Sequence, residues 1–129
     1  MSSALRIAIG SFGRVALLDM DRPLVKHAHA QCHALLKVEG ADTEFNVGGR
    51  RVALTDESVV LINAWEHHSY VHRRDQPPTI ILALYIEPKW LTAFRGNWQA
   101  SAGPDFFPQP GGSITPQIRR QVSETAEAM

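Results

Sequence analysis

The sequence predicts a mainly β fold, a β-barrel or β-sandwich followed by one or two C-terminal helices. About nine short stretches rich in β-forming residues follow one another, with turn signals at intervals of about eight to ten residues. From Pro88 onward, apolar residues recur at helical spacing instead. With 129 residues, the chain is long enough for one domain with a substantial core.

The predicted strands alternate apolar and polar residues or form short apolar runs bounded by turn-forming residues. Gly48-Gly49, between two alternating stretches, is a strong signal for a two-residue hairpin. Residues 75–78 break the chain before the most apolar stretch, which we expect at the centre of a sheet and which is too short to cross a membrane. The strands are predicted at residues 12–18, 24–29, 32–39, 43–47, 50–54, 58–63, 69–73 and 79–86, with a further short apolar run at 5–9.

The first predicted helix begins at Pro88, a residue suited to the first turn of a helix. Trp90 and Phe94 recur at helical spacing, and Gly96 supplies a stop. We expect the two aromatic side chains to pack in the core or in a dimer. Residues 97–112 then form a loop that contains several prolines and ends in two glycines.

The second predicted helix runs to the end of the sequence. Thr115 is its N-cap and Pro116 its first residue, and Ile118, Val122 and Ala126 form an apolar stripe along it. Such a stripe has to be buried. It packs either on the sheet of its own chain or across a two-fold axis in a homodimer, and the sequence pattern alone leaves both open.

The histidines fall in two short windows. If both windows are extended chain, alternate imidazoles share a face and can converge on one ligand. The interpretation of separate surface or core histidines competes with this one, but the clustering favours a shared metal or polar ligand pocket. The windows contain all six histidines of the chain, His27, His29 and His33 in the first and His67, His68 and His72 in the second.

Charge and cysteine content exclude several kinds of protein. Thirteen basic residues balance thirteen acidic ones, so we expect no sequence-specific DNA binding by this chain alone. Cys32 is the one cysteine, which excludes an internal disulfide and fits a reducing cytoplasm. Its alternation with the histidines predicts a packed thiol. The first residues show no signal-peptide pattern, and no stretch of the sequence has the length and apolarity of a membrane span.

The first histidine window resembles the first cupin motif. His27-x-His29, three residues, His33, six residues and Gly40 have that motif's spacing, with His33 where the family has Glu. The segment ending in His68 resembles the part of the second motif that holds the last metal histidine, although the usual Gly-Asp and Pro-x-Gly are absent. The resemblance implies a cupin (jelly-roll-like) barrel with a metal site of His27, His29, His33 and His68. An imidazole set suits zinc, iron, nickel or copper, and a metal-free pocket for hydrogen bonding remains the alternative.

The sequence more closely resembles the N-terminal sensor domain of AraC-type transcription regulators. Residues 61–70 look like the second cupin motif of these regulators, and residues 82–91 look like their strand-to-helix transition. The resemblance implies a cupin sensor domain at residues 1–112 and the start of an interdomain or dimerisation helix at residues 113–129. It also implies a small-molecule effector, a homodimer, and DNA binding only through a C-terminal helix-turn-helix domain that this chain does not contain.

Two functions therefore compete at this point. In the first, the chain is the effector-sensing, non-enzymatic domain of a regulator, with no catalytic residue. In the second, it is a stand-alone metal-dependent cupin enzyme, a dioxygenase or an isomerase. A helical pattern that continues to Met129 without a C-cap favours a piece of a longer regulator. Trp65, Tyr70 and Tyr85 are candidate effector contacts, and core packing is the alternative for each.

Overall fold

The computed structural model describes residues 3–21, 24–70, 75–91 and 106–129 of the chain. Within these ranges it contains ten strands and two helices. The strands are β1 (Ser3–Gly10), β2 (Gly13–Met20), β3 (Leu24–His27), β4 (Cys32–Gly40), β5 (Thr43–Val47), β6 (Arg50–Leu54), β7 (Ser58–Ile62), β8 (His68–Tyr70), β9 (Thr79–Ile86) and β10 (Gly111–Ser113). The helices are α1 (Pro88–Leu91) and α2 (Pro116–Ala128).

The strands form two antiparallel sheets that pack face to face. The order is β1-β2-β9-β4-β7-β10 in the six-stranded sheet and β3-β8-β5-β6 in the four-stranded sheet. Apolar side chains from both sheets fill the space between them, so this layer is the main core. Its buried members are Met20, Leu35, Phe45, Val47, Leu54, Val60, Ile62, Tyr70, Ile81 and Ala83. The predicted mainly β fold with a C-terminal helix is confirmed.

Helix α2 covers the outer face of the six-stranded sheet. Successive residues of a strand point to opposite faces, so Leu35 lies in the main core and Leu36 in a second cluster on the outer face. Val122 of α2 is buried in that second cluster, against Val15 and Leu82. Part of the apolar stripe predicted on this helix is therefore buried on the sheet of the same chain.

Several predicted elements differ in extent from the observed ones. The strand predicted at 24–29 ends at His27, and the one predicted at 69–73 begins at His68, with residues 71–74 outside the described part. β10 lies partly in the predicted loop 97–112. Gly111 pairs with Val60 of β7. A Cβ at Gly111 would lie 2.9 Å from the Val59 carbonyl oxygen, so the close approach of the two strands requires a glycine there.

The two helices begin where the sequence predicts. Thr115 is the N-cap of α2, and its hydroxyl accepts a hydrogen bond from the Ile118 amide at 3.2 Å. Trp90 of α1 packs edge-to-face against Phe12, with ring centres 6.0 Å apart, which is packing within the chain. Phe94 and Gly96 lie outside the described residues. No helix in the described ranges combines the length and apolarity that crossing a membrane requires.

Polar contacts hold α2 against the C-terminal half of β4. Arg119 donates hydrogen bonds to the carbonyl oxygens of Lys37 and Val38, the second at 2.7 Å. Asp56 lies 3.4 Å from Arg119 and 3.2 Å from the buried Lys37 ammonium, which also pairs with Asp42 at 2.8 Å. Burial lowers the pKa of Lys37, but hydrogen bonds to the two carboxylates outweigh it and hold the pKa above its usual value.

Replacement of Arg119 by alanine is expected to loosen α2. The variant loses two hydrogen bonds from a charged donor, so we expect the free energy of unfolding to fall by about 1–3 kcal/mol. Urea unfolding measures the change, and trypsin digestion reports whether α2 becomes accessible. Arg120→Ala is the matched control because Arg120 is exposed. Equal stability of the two variants would show that Arg119 does not anchor the helix.

Candidate functional site

The two histidine windows meet at one end of the sandwich. β3 ends at His27 and β8 begins at His68, and these two residues pair across the four-stranded sheet. His33 lies on β4 of the six-stranded sheet, with Ile62 and Tyr85 opposite it on the neighbouring strands. His33 is 3% exposed, and His68 is also buried. The site therefore spans both sheets.

Three imidazoles are in mutual contact at this site. The ring centres are 4.8 Å apart for His29 and His33, 5.1 Å for His33 and His68, and 5.4 Å for His29 and His68. The first pair is stacked, with 21° between the ring planes. The side chain of His27 lies outside the described part, although its backbone pairing places it beside His68.

A backbone hydrogen bond sets the tautomer of His68. Its Nδ1 lies 3.0 Å from the carbonyl oxygen of Glu66, which can only accept, so Nδ1 carries the proton and donates. The lone pair of the neutral ring is then on Nε2. A backbone carbonyl in this position commonly orients a histidine for metal binding.

The ligand type suits a divalent transition metal, but the present arrangement of the rings does not. Three imidazoles that share a tetrahedral ion at about 2.0–2.1 Å have ring centres roughly 5.2 Å apart, close to the spacing observed here. Stacking turns the faces of His29 and His33 toward each other, and no three His, Cys, Asp or Glu side chains in the described part are arranged to hold an ion. For both to bind one ion, the His29 and His33 rings would have to turn so that a nitrogen of each points to it. His27, whose side chain lies outside the described part, is the remaining candidate ligand.

Tyr85 forms the wall of the site next to His33. The two rings are edge-to-face with centres 4.4 Å apart, and the Arg14 guanidinium lies over the Tyr85 ring, 4.2 Å from its centre. Burial raises the pKa of Tyr85, and the neighbouring Arg14 offsets only part of that rise. The phenol is therefore neutral at neutral pH and can donate a hydrogen bond.

A groove opens at the surface beside Tyr85. Its volume is about 310 Å³, and its walls come from the β1–β2 turn, the β3–β4 connection and the end of β9. The lining residues are Ile9, Gly10, Gly13, Arg14, Gln31, Tyr85 and Glu87. Tyr85 lies between this groove and the imidazole cluster, with its ring centre 4.4 Å from that of His33 and 6.3 Å from that of His29.

Trp65 lies on the loop between β7 and β8, just before the second histidine window. Its amide donates to the carbonyl oxygen of His29 at 2.5 Å, and its side chain is 63% exposed. Its φ of 62° is in the left-handed region, where a residue other than glycine is strained by about 1–3 kcal/mol. Buried Asn63 holds this loop by hydrogen bonds to Glu66 and to the backbone of Phe107.

The other candidate residues lie away from the cluster. Tyr70 is 1% exposed in the main core, where it packs against Phe45 and its hydroxyl donates to the Met20 carbonyl. His67 is exposed, and His72 lies outside the described residues. Cys32 is buried, and burial raises the pKa of its thiol, which fits the predicted packed cysteine.

Comparison of the sequence with protein families gives one decisive match. The profile of the family described as the AraC-like ligand binding domain matches residues 20–129, most of the chain. The chain belongs to this family. It is thus a ligand-binding cupin domain of the AraC type. A comparison with curated proteins finds no match.

Solved structures share the fold of this AraC-like domain at low sequence identity. Apo ToxT from Vibrio cholerae is 13% identical with a TM-score of 0.55, over 93% of this chain and 48% of that one. Salicylate 1,2-dioxygenase from Pseudaminobacter salicylatoxidans is 19% identical with a TM-score of 0.50, over 63% of this chain and 23% of that one. A cupin-2 domain protein from Shewanella frigidimarina has a TM-score of 0.48 at 15% identity, over 66% of this chain and 79% of that one. This chain therefore spans less than a quarter of the dioxygenase and about half of ToxT.

Sequence reasoning missed two residues of this AraC-like domain that shape the site. Arg14 and Asn63 lie outside the histidine windows, and neither belongs to a motif. A charged residue on an otherwise apolar strand was a weak signal for Arg14. Asn63, directly after the apolar run of β7, was a similar signal for a buried amide that orders a loop.

Proposed function

We propose that this domain senses a small-molecule effector at the imidazole-lined end of the barrel and acts within a longer, cytoplasmic transcription regulator. The observation that carries the proposal is the groove beside the imidazole cluster, whose wall residue Tyr85 contacts His33. The family match over residues 20–129 supports it. DNA would be bound by a separate C-terminal domain of that regulator and not by this neutral chain.

We further propose that the site holds a divalent transition metal, with His27, His29, His33 and His68 as its ligands. Their donor chemistry suits zinc, iron, nickel or copper, and such an ion would supply a positive centre for an effector oxygen. The chain's own contributions are to orient His68 through the Glu66 carbonyl and to keep His33 out of bulk water. Trp65 and Tyr85 would then contact the bound effector.

If the chain forms a homodimer, effector binding would influence the partner subunit through β4. His33 is near one end of this strand, and the carbonyls of Lys37 and Val38, which bind Arg119 of α2, are near the other. An effector that binds two arrangements of this strand unequally shifts the population between them. The shift would reach α2, which we place at the beginning of the interdomain segment 113–129.

A direct experiment separates this sensor from a metal-dependent cupin enzyme. A thermal-shift screen of small molecules, with and without added Zn²⁺, Ni²⁺ or Fe²⁺, should find compounds that raise the melting temperature of the chain. Mass spectrometry should then recover each compound chemically unchanged after incubation with metal and oxygen. Conversion of a bound compound to product would favour the enzyme, and a screen without any stabilising compound would argue against effector sensing.

A homodimer through α2 is part of the proposal. Val122 is buried on its own sheet, but Ile118 is 41% exposed on the same helix and is free of that constraint. Ile118→Glu is therefore expected to raise the dimer dissociation constant by about tenfold or more, measured by sedimentation equilibrium at micromolar protein. Gln117→Glu adds the same charge at an exposed neighbour and is the control. A dimer indifferent to Ile118→Glu would place the interface elsewhere.

A further inference from the structure

Arg14 is an exposed cation next to Tyr85, the residue that borders the imidazole cluster. It pairs with Tyr85 in the register of β2 and β9, and its guanidinium lies 4.2 Å from the centre of the Tyr85 ring. Tyr85 also contacts His33 edge-to-face, and its strand β9 lies between β2, which carries Arg14, and β4, which carries His33. Tyr85 therefore lies between the guanidinium and His33.

No internal carboxylate neutralises this cation within the described part of the chain. The ion pairs there involve Lys37, Arg51 and Arg119, but not Arg14. Glu87 lines the same groove, where its carboxylate accepts a hydrogen bond from Gln31 at 3.1 Å. Arg14 is exposed, but its guanidinium lies over the Tyr85 ring, and this contact limits the side-chain freedom that is lost when it binds an anion.

The rest of the groove is small and partly apolar. Its volume of about 310 Å³ is at the lower end of the range of roughly 300–1,000 Å³ for ligand pockets. Ile9 on its wall is 84% exposed, and Gly10 and Gly13 add no side chain that would fill it. A ligand that fits this surface has a compact apolar body and one charged end.

We propose that the effector is a small carboxylate, held by the Arg14 guanidinium and the Tyr85 hydroxyl, with its apolar body against Ile9. The planar guanidinium presents paired N–H donors that match the two oxygens of a carboxylate. Tyr85 lines the same groove, and its phenol hydroxyl is a hydrogen-bond donor for the same group. This inference rests on the proposed effector-sensing function and specifies the chemical class of the effector.

The test is a binding screen in matched pairs. The chain is screened by thermal shift and then by calorimetry against small carboxylates such as benzoate, phenylacetate and hexanoate, each beside its neutral carboxamide. We expect binding of carboxylates and not of their amides. Arg14→Gln should weaken the binding of a carboxylate hit by roughly 10- to 100-fold, the loss of a charge-assisted hydrogen bond. Arg50→Gln, an exposed arginine on β6, is the control for net charge.

The outcomes separate this inference from the proposed function. Ligands that bind as amides as well as carboxylates, or carboxylates that bind Arg14→Gln with unchanged affinity, would overturn the carboxylate assignment and leave effector sensing intact. A panel without any ligand would count against both. If Arg14→Gln unfolds, Tyr85→Phe provides the same test, because it keeps the ring and removes only the hydroxyl. Unchanged carboxylate affinity in a folded Tyr85→Phe variant would then overturn the proposal.

Discussion

Replacing His29 by alanine is expected to lower the affinity of the chain for Zn²⁺ or Ni²⁺ by more than about 100-fold. Loss even of a group that only orients a metal ligand weakens binding by about 10- to 100-fold, and His29 is proposed as a direct ligand. Its ring contacts both His33 and His68, so its removal opens the centre of the cluster. Calorimetric titration and elemental analysis after dialysis measure the loss.

His67→Ala is the matched control for this variant. His67 precedes His68 in the sequence but is exposed, so its removal should leave metal affinity unchanged. Circular dichroism should show that both variants retain the β fold, because His29 lies in a connection and not in a strand. Equal metal content in His29→Ala and the unmodified chain, or equal losses in the two variants, would remove the basis for the histidine site.

Replacing Gly13 by alanine is expected to destabilise the fold by about 2–4 kcal/mol. Gly13 opens β2 with a φ of 136°, and a Cβ at this position would lie 2.0 Å from the Tyr85 carbonyl oxygen. Both strands have to move apart to admit it, because the obstructing atom belongs to the backbone. Since Arg14 and Tyr85 are adjacent to this contact, carboxylate binding should weaken as well. Urea unfolding gives the change in stability.

Gly49→Ala isolates the effect of the clash from that of the backbone angle. Gly49 also has a positive φ, 83°, but apart from its chain neighbours no atom of the described residues lies within 4 Å of the position its Cβ would occupy. We expect a loss of only about 1 kcal/mol, the cost of the left-handed conformation. A Gly13 variant no less stable than the Gly49 variant would mean that β2 and β9 separate easily and that the groove wall is not rigid.

The sequence predicted the parts of this molecule that depend on local patterns. The Gly48-Gly49 hairpin and the Thr115 cap are decided by neighbouring residues, and both are present. The spacing of His27, His29 and His33 identified a window that the fold brings to His68. These signals extend over a few residues, which is the range that turn chemistry and strand periodicity control.

The remaining features depend on contacts between distant segments. Arg14 and Tyr85 meet because β2 lies beside β9, and alternation along one strand does not reveal which strand is its neighbour. Tyr70 and Tyr85 occupy similar strand positions, but one is in the filled core and the other at the groove. Likewise, the stripe of α2 does not show which of its residues is buried on the sheet, and Val122 is that residue.

The location of the imidazole cluster has a mechanical consequence. His33 belongs to the six-stranded sheet and His68 to the four-stranded sheet, and apolar packing holds these layers together through the main core. Apolar packing is non-directional and does not tie particular atoms of one layer to particular atoms of the other. A ligand or ion bound to both imidazoles would be a directed cross-link between the layers. Occupancy of the proposed site would therefore oppose movement of one sheet relative to the other.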